Sequence, residues 1–429
     1  MKDKQINSST LLSYSVFGFS LAFSGLPLYI YLPKFTHDHF GISLALIGLI
    51  LLLSRLLDAF ISPLLGILSD RFGLTHKKFF ILFGGGLVVF FNSYFYLPTS
   101  ASEFVILSWF CLATILIYCF FSLLYVNFYS LGVSLGSDDS FQTKLSSFRE
   151  SFGFLGMIVA SVFPAILIHF LHDEVSAFKI FGLCFAGVMV IALWVLPQSS
   201  KARQKPTQLI RVALFVDSLK QIFKNHSMRQ LIIVFFINSL PVAISANLFS
   251  FYVEQSLMAK DSSPIFLLCC LFSSAISAVL CSIFLKNANK VYALLWMMGI
   301  SVISFACTYF ITQENNEMFF LVCILSGFGI GGEVVILPII AARVLEKHQH
   351  ISSAFFGVWT SCTKISLAVA AGIFLPLLSN GDQYFSDVPL NSKIAFFYTI
   401  IPLFIKCISI YLVFKFINHQ QQEQVHAKS

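Results

Sequence analysis

The chain has 429 residues, of which 57% are hydrophobic, 16% aromatic and 11% charged, and its mean hydropathy is +0.85. A soluble domain is about 45 to 50% apolar and about 25% charged, so this composition excludes a water-soluble enzyme, a disordered chain and a nucleic-acid-binding protein. The net charge of +7 lies mostly in short segments between apolar runs. We therefore expect an integral, multi-pass protein of the lipid bilayer. If one helix and its loop take roughly 35 residues, the length suits about twelve spans.

Twelve apolar runs are long enough to cross a hydrocarbon core of about 30 Å as helices. Their continuous apolarity excludes a transmembrane β-barrel, whose strands alternate between apolar and polar residues. The first run is longer than the apolar core of a signal peptide, so we expect it to be retained. The predicted spans are 11–33, 44–68, 79–97, 104–133, 149–171, 178–196, 229–253, 264–285, 291–311, 318–344, 351–379 and 394–417.

One long polar segment divides these spans into two sets of six. The sequence thus predicts an N-terminal six-helix bundle in residues 1–196, a basic cytoplasmic linker in 197–228, and a C-terminal six-helix bundle with a short cytoplasmic tail in 229–429. Two bundles of six helices are the general plan of secondary transporters, whose binding sites lie near the bilayer midplane.

The loop charges predict the orientation. Twenty of the 27 Lys and Arg residues lie in the N-terminal tail, in alternate loops and at the C-terminal end, whereas the intervening loops hold four. Cytoplasmic loops carry the excess of positive charge. Both termini are therefore expected in the cytoplasm, with the protein in a bacterial inner (plasma) membrane.

A short motif follows the second span. Residues 66–73 read G-I-L-S-D-R-F-G, with a basic pair after them. This resembles the G-x-x-x-D-R-x-G-(R/K) signature of the major facilitator superfamily, in the loop where that family carries it. Gly66 and Gly73 would allow close approach of helices, and Asp70 and Arg71 would act in gating by pairing in one conformation and separating in the other. The alternative is a short basic loop that obeys the charge rule.

A narrower resemblance begins in the same helix. Residues 55–66 read R-L-L-D-A-F-I-S-P-L-L-G, which is similar to the R-x-x-D-A-x-x-D-P-x-x-G helix of the glycoside-pentoside-hexuronide:cation symporters, the family of melibiose permease. Further matches are Tyr14, Phe128 to Leu131, Arg149 and Val358 to Lys364. The resemblance implies the major facilitator fold, which is all-α with twelve transmembrane helices in two six-helix bundles.

The departures from that family bear on its substrates. Asp58, Ser122, Arg149 and Lys364 stand at positions that match the family's site. The second acid of span 2, which helps to form the family's cation site, is Ser62 here. The sugar-binding acid of span 1 becomes Ala22, and the acid of span 4 becomes Tyr125. Coupling to sodium is thus less favoured than coupling to a proton, which needs only one titratable group.

The charged residues inside spans also stand out by themselves, since a charge at the bilayer centre costs from about 3 to more than 10 kcal/mol. We predict that Asp58, Ser62, Ser122, Lys364 and Glu333 form the coupling or ion site. Asp58 and Lys364 are expected to be electrostatically linked. The alternatives are structural pairs of Asp58 with Arg55 and of Lys364 with Glu333.

For the substrate site we predict Tyr125, Tyr129, Arg149 and Thr360. Tyr125 and Tyr129 are four residues apart and share one helical face, and an arginine suits a hydroxylated or anionic solute. The alternatives are aromatic packing for the tyrosines and an interfacial salt bridge with Glu150 for Arg149. His169 and Lys406 lie nearer the ends of spans and are expected to be interfacial.

No cofactor or metal site is predicted. Residues 327–332 fit G-x-G-x-x-G but lie in the middle of an apolar run, without the preceding strand that a dinucleotide site needs. The ten cysteines lie in apolar runs without C-x-x-C spacing. No motif of a membrane enzyme or an ATP-driven pump is present, so the chain is not expected to be an enzyme.

The sequence therefore predicts a monomeric secondary active transporter that moves a small polar solute, a sugar or a related compound, by alternating access with proton coupling. Three alternatives remain open: an uncoupled facilitator, a carrier of an amphipathic or anionic solute, and a transport-inactive sensor with the same fold.

Overall fold

A computed structural model describes residues 8–25, 27–42, 44–71, 76–96, 102–136, 138–196, 212–259, 262–286, 288–379 and 390–426. Over these ranges the chain is helical and contains no β-strand. Their long apolar runs form helices because in a bilayer each backbone polar group must find its partner within the protein.

Seven helices are formed before the linker. They are α1 (Ser8–Gly25), α2 (Pro27–Phe40), α3 (Leu44–Arg71), α4 (His76–Ser93), α5 (Glu103–Leu135), α6 (Asp139–Leu171) and α7 (Glu174–Val195). The predicted first span thus corresponds to two helices, α1 and α2, with Pro27 as the first residue of the second.

Seven more α-helices follow among the described residues, and the first of them lies inside the segment 197–228 that is predicted as the linker. They are α8 (Val212–Lys224), α9 (His226–Phe251), α10 (Ser263–Phe284), α11 (Lys290–Thr308), α12 (Phe319–Leu345), α13 (Ser352–Ser379) and α14 (Leu390–His426). A π-helical turn, Tyr252–Ser256, continues α9.

Ten helices among the described residues are long and apolar enough to span a membrane, by length and composition. They begin with the helix at Lys77–Tyr96 and end with the one at Ser392–Phe416. The predicted all-α membrane fold is confirmed. The count of twelve spans stays a prediction, with α1 to α3 covering the sequence predicted as the first two.

The chain folds into two compact units. Unit 1 comprises Met1–Leu219 and His348–Ser361, and unit 2 comprises Lys220–Lys347 and Cys362–Ser429. The first ten residues of α13 therefore belong to unit 1 and the rest of this helix to unit 2. The predicted bundle boundaries, which assign all of 229–429 to one bundle, stay a prediction.

Aromatic side chains fill much of the interior of unit 1. Phe23 of α1 stacks on Phe181 of α7 with ring centroids 4.8 Å apart. The hydroxyl of Tyr14 on α1 donates to the carbonyl of Phe128 on α5, over 2.7 Å, and is fully buried. Tyr14, one of the residues that match the symporter family, thus ties α1 to α5.

Small residues hold α12 in unit 2. A Cβ atom at Gly327 or Gly331 would collide with the backbone carbonyl of Cys270 or Ser274 on α10. The hydroxyl groups of Ser273 and Ser277 donate to the carbonyls of Ile324 and Phe328 over 2.6 Å. The glycine-rich run of residues 327–332 therefore serves close packing of helices in the middle of α12.

The structure changes one predicted helix start. The fifth span was expected to begin at residue 149, but α6 begins at Asp139, after Asp138 has capped its N-terminus by accepting from the backbone N–H of Phe141. The polar residues 139–148 are thus the first turns of a helix, because a capped segment can be polar and helical. Arg149 and Glu150 lie inside α6 as a result.

The predicted gating motif is only partly described. Gly66, Asp70 and Arg71 belong to the last turns of α3, and their side chains lie outside the described set. Gly73 lies outside the described residues altogether. The gating role of all four stays a prediction.

Candidate functional site

A cavity of about 320 Å³ lies within unit 1, between α1, α5 and α6. Most of its lining is apolar or aromatic, with two charged side chains. The lining residues are Gly18, Leu21, Ala22, Gly25, Phe121, Tyr125, Phe128, Tyr129, Arg149, Glu150, Gly153, Phe154 and Met157. A mostly apolar cavity with a few convergent polar groups is typical of a binding site for a small molecule.

Arg149 and Glu150 form an ion pair in the wall of this cavity. The Nε atom of Arg149 lies 2.7 Å from Oε1 of Glu150, and its Nη2 atom donates to the hydroxyl of Ser146 over 3.1 Å. The guanidinium also lies 3.8 Å from the ring centroid of Tyr129, a cation–π contact. Arg149 is 6% exposed, and removing its acidic partner would leave a buried charge uncompensated.

The two predicted tyrosines belong to the same cluster. Their rings stack with centroids 4.5 Å apart. The hydroxyl of Tyr125 donates to that of Tyr129 over 2.8 Å, and the hydroxyl of Tyr129 donates to Glu150 over 2.8 Å. The structure therefore brings together Tyr125, Tyr129 and Arg149.

Two glycines make room around this cluster. A Cβ atom at Gly18 would lie 3.2 Å from the carbonyl oxygen of Arg149, so a glycine lets α1 approach α6 closely. A Cβ atom at Gly153 would have no neighbour within 4 Å. Gly153 lines the cavity one turn after Arg149.

Ala22 and Tyr125, at the two positions where the symporter family carries an acid in spans 1 and 4, line the cavity. The carboxylate in this wall comes instead from Glu150, which the sequence indicates only as a possible salt-bridge partner of Arg149. In the sequence, the position of Glu150 next to Arg149 indicates that it could share the site. This can be recognised only if α6 is known to begin at Asp139, which places both residues inside the helix.

A second cluster of predicted residues forms where α3 meets α5. The hydroxyl of Ser122 donates to Oδ1 of Asp58 over 2.6 Å, and the hydroxyl of Ser62 lies 3.5 Å from the same atom while donating to the Asp58 carbonyl over 2.6 Å. Asp58 is 5% exposed. Asp58, Ser62 and Ser122 are thus neighbours in the structure.

A proline shapes the helix beside Asp58. Pro63 lies inside α3, and because it has no N–H the carbonyl of Ala59, four residues earlier, lacks its usual helical partner. The hydroxyl of Ser361, in the part of α13 that belongs to unit 1, donates to that carbonyl over 2.6 Å. A Cβ atom at Gly357 would lie 2.9 Å from Pro63 Cα and from the Ser62 carbonyl oxygen. The start of α13 therefore packs tightly on the turn that holds Asp58.

Thr360 and Lys364 lie on the same helix. The Thr360 hydroxyl donates to the carbonyl of Phe356 over 2.7 Å, and Thr360 is not among the residues that line the cavity in unit 1. Lys364 is half-buried and belongs to unit 2. The predicted substrate role of Thr360 and the predicted linkage of Lys364 with Asp58 stay predictions.

Glu333 has a partner that the sequence reading missed. Nζ of Lys406 lies 2.5 Å from Oε2 of Glu333, and Lys406 is 1% exposed. The expectation that Lys406 is interfacial is therefore wrong: α14 begins at Leu390, so Lys406 is more than four turns inside this helix. Asn238 and Ser301 complete the cluster through hydrogen bonds to the same carboxylate.

Apolar spanning helices and a small-molecule cavity are the features of a membrane transporter. The family described as MFS/sugar transport protein matches residues 13–417. The chain belongs to this family, which confirms the resemblance to the major facilitator superfamily. The description of this family is that of transport proteins.

Two relatives give a more specific likeness. The chain is 26% identical over 234 residues to the isoprimeverose transporter of Lactiplantibacillus pentosus, covering 53% of this chain and 48% of the relative. It is 28% identical over 179 residues to the glycoside/cation symporter YagG of Escherichia coli (strain K12), covering 40% of this chain and 38% of that protein. The matched regions thus span half or less of these curated relatives.

Solved structures confirm the fold. A bacterial homologue of the iron transporter ferroportin, in an outward-facing state, superposes with a TM-score of 0.74 at 12% identity, over 96% of this chain and 100% of the other. The human organic anion transporter MFSD10 (TETRAN) gives 0.66 at 15% identity, over 96% and 100%. At such identities the likeness concerns the fold alone.

Proposed function

We propose that the protein is a proton-coupled symporter of a neutral, sugar-like solute, which binds in the cavity of unit 1. The observation that carries this proposal is the cluster of Arg149, Glu150, Tyr125 and Tyr129 in the cavity wall. Aromatic faces pack on the apolar faces of sugar rings, while the ion pair and hydroxyls offer donors and acceptors to sugar hydroxyls. The two relatives, named for isoprimeverose and for glycosides, support the same class of solute.

The charge of the cavity favours a neutral solute over an anion. Arg149 and Glu150 are the charged members of its described lining, and they pair with each other. An anionic solute would have to displace Glu150 from the guanidinium, whereas a hydroxylated neutral solute can bond to both groups as they stand.

For coupling we propose Asp58, with Ser62 and Ser122 as hydrogen-bond partners of its carboxylate. One carboxylate can bind and release a single proton. A site for a hard cation such as sodium gains from further anionic oxygen ligands, and the position of the family's second acid is Ser62 here.

The experiment that tests this proposal is transport by the purified full chain in proteoliposomes. A thermal-shift screen against sugars, uronates, amino acids and nucleosides comes first, with isoprimeverose as the leading probe. Uptake of isoprimeverose that rises with an inward proton gradient, and not with sodium at fixed pH and membrane potential, is the expected result. Equilibration without accumulation would indicate a facilitator, stabilisation by uronates alone an anion carrier, and binding without uptake a sensor.

We also propose that both termini and the segment 197–228 face the cytoplasm of a bacterial inner membrane, and that the protein is monomeric. The support is the uneven distribution of loop charges. Single cysteines introduced at Gln204 and Asn380, both outside the described residues, should react with an impermeant reagent from opposite sides. Labelling of both from one side contradicts the topology, and light scattering of the detergent-solubilised protein tests the monomer.

A further inference from the structure

Four polar side chains meet in the interior of unit 2, each from a different helix. Glu333 lies on α12, Lys406 on α14, Asn238 on α9 and Ser301 on α11. They are between 1% and 4% exposed, and each lies inside a candidate membrane span. A charged group so deep in a bilayer is costly unless it is paired.

The cluster satisfies both of its charges. Oε1 of Glu333 accepts from the Ser301 hydroxyl over 2.8 Å, and Oε2 accepts from Nδ2 of Asn238 over 2.8 Å and from Nζ of Lys406 over 2.5 Å. The Lys406 ammonium also donates to Oδ1 of Asn238 over 2.9 Å. Asn238 therefore bridges the two charges with both ends of its amide.

The backbone around the cluster leaves little room for rearrangement. A Cβ atom at Gly329 would collide with the Ser301 hydroxyl, and one at Gly332 would lie 2.5 Å from the Met297 side chain. Gly329 and Gly332 precede Glu333 on α12, so close packing of this helix fixes the position of the carboxylate beside its partners.

We propose that Glu333 and Lys406 form a charge-neutral lock that fixes α9, α11, α12 and α14 to one another, and that this carboxylate takes no part in proton coupling. Both oxygens of the Glu333 carboxylate accept hydrogen bonds from three other helices, and the residue is 2% exposed, so the group is built into the packing of unit 2. This proposal is an alternative to our sequence-based expectation that Glu333 belongs to the coupling site, which stays a prediction.

The lock makes a distinctive prediction, because removing one partner of a buried pair strands the other charge, whereas removing both does not. The experiment compares Glu333→Gln, Lys406→Met and the double variant, each as the purified full chain. The measured quantity is the fraction of protein that stays monodisperse after heating. Each single variant should lose more than half of this fraction at a temperature that the parent withstands, or fail to accumulate in the membrane. The double variant should behave like the parent.

Two exposed residues of unit 2 supply matched controls. Glu317→Gln and Lys415→Met make the same chemical changes at solvent- or lipid-exposed positions, and should leave the heated fraction unchanged alone and together. Additive losses in the double Glu333 and Lys406 variant, or its failure to fold when both single variants fold, would overturn the lock.

Transport provides a second readout. In proteoliposomes the double Glu333→Gln, Lys406→Met variant should keep the parent's increase in isoprimeverose uptake under a proton gradient. A double variant that is as heat-stable as the parent but has lost this increase would overturn the exclusion of Glu333 from coupling. This arm rests on the proposed function, whereas the heating experiment does not, so a parent without gradient-driven uptake would refute the proposed function and leave the lock to be decided by heating.

Discussion

Each unit buries an acid beside a base, but the two pairs have different surroundings. Arg149 and Glu150 are neighbours on one helix and stand in the wall of a cavity of about 320 Å³. Glu333 and Lys406 come from two helices and are enclosed by Asn238 and Ser301. We therefore propose that the same ionic chemistry supports binding where a cavity lies beside the pair, and stabilises helix packing where neighbouring side chains bond to both charges.

The first prediction concerns the pair in the cavity wall, where a substitution at Arg149 should lower transport. Arg149→Lys keeps the positive charge but loses the planar guanidinium that bonds to Glu150 and Ser146 at once. A hydrogen bond to a charged group contributes about 1.5 to 3 kcal/mol, so isoprimeverose uptake in proteoliposomes should fall at least about tenfold. Arg229→Lys, an exposed arginine in unit 2, should transport normally. Unchanged uptake by Arg149→Lys would remove the contrast between the pairs.

Asp58→Asn should change the type of transport. We expect it to abolish accumulation under a proton gradient while exchange of labelled for unlabelled isoprimeverose continues, because the titratable group is lost and the cavity of unit 1 is not. Ser122→Ala removes a 2.6 Å bond to the carboxylate and should reduce accumulation by less than Asp58→Asn does. Equal loss of accumulation and exchange in Asp58→Asn would point to a structural role for this acid.

The contact between α13 and α3 can be tested with two glycines of one helix. Gly357→Ala places a methyl group 2.9 Å from Pro63, whereas Gly372→Ala meets open space. Overpacking of this kind costs about 1 to 3 kcal/mol, so Gly357→Ala should lower the maximal rate of uptake several-fold. Gly372→Ala is the control and should match the parent. If both variants transport alike, the packing of α13 on the Asp58 turn does not matter for the cycle.

The smallest effect is expected at Tyr125. Tyr125→Phe keeps the ring stacked on Tyr129 and removes one hydroxyl from the cavity wall. A net hydrogen bond contributes about 0.5 to 1.5 kcal/mol, so the KM for isoprimeverose should rise about two- to tenfold while thermal stability stays the same. A change in stability without a change in KM would assign this tyrosine to packing.

The sequence and its family resemblance predict part of the two charged clusters, and the remaining contacts appear only in the structure. Asp58, Ser62 and Ser122 were predicted as a group through a family resemblance, and the structure brings them together. The start of α6 was missed because residues 139–148 are polar and hydropathy alone reads them as a loop. Lys406 was missed because its partner Glu333 is 73 residues away, and no helical period connects such positions.

The ion pair in unit 2 also has a consequence for biogenesis. Chains are made from the N-terminus at about 5 to 20 residues per second, so Glu333 is synthesised roughly 4 to 15 s before Lys406, given the 73 residues between them. During that interval the acid of α12 has no base from α14. Asn238 and Ser301 have already been made by then and can bond to the carboxyl group while it waits. α14 therefore supplies the base that completes this cluster, and we expect chains truncated before Lys406 to accumulate less in the membrane than the full chain.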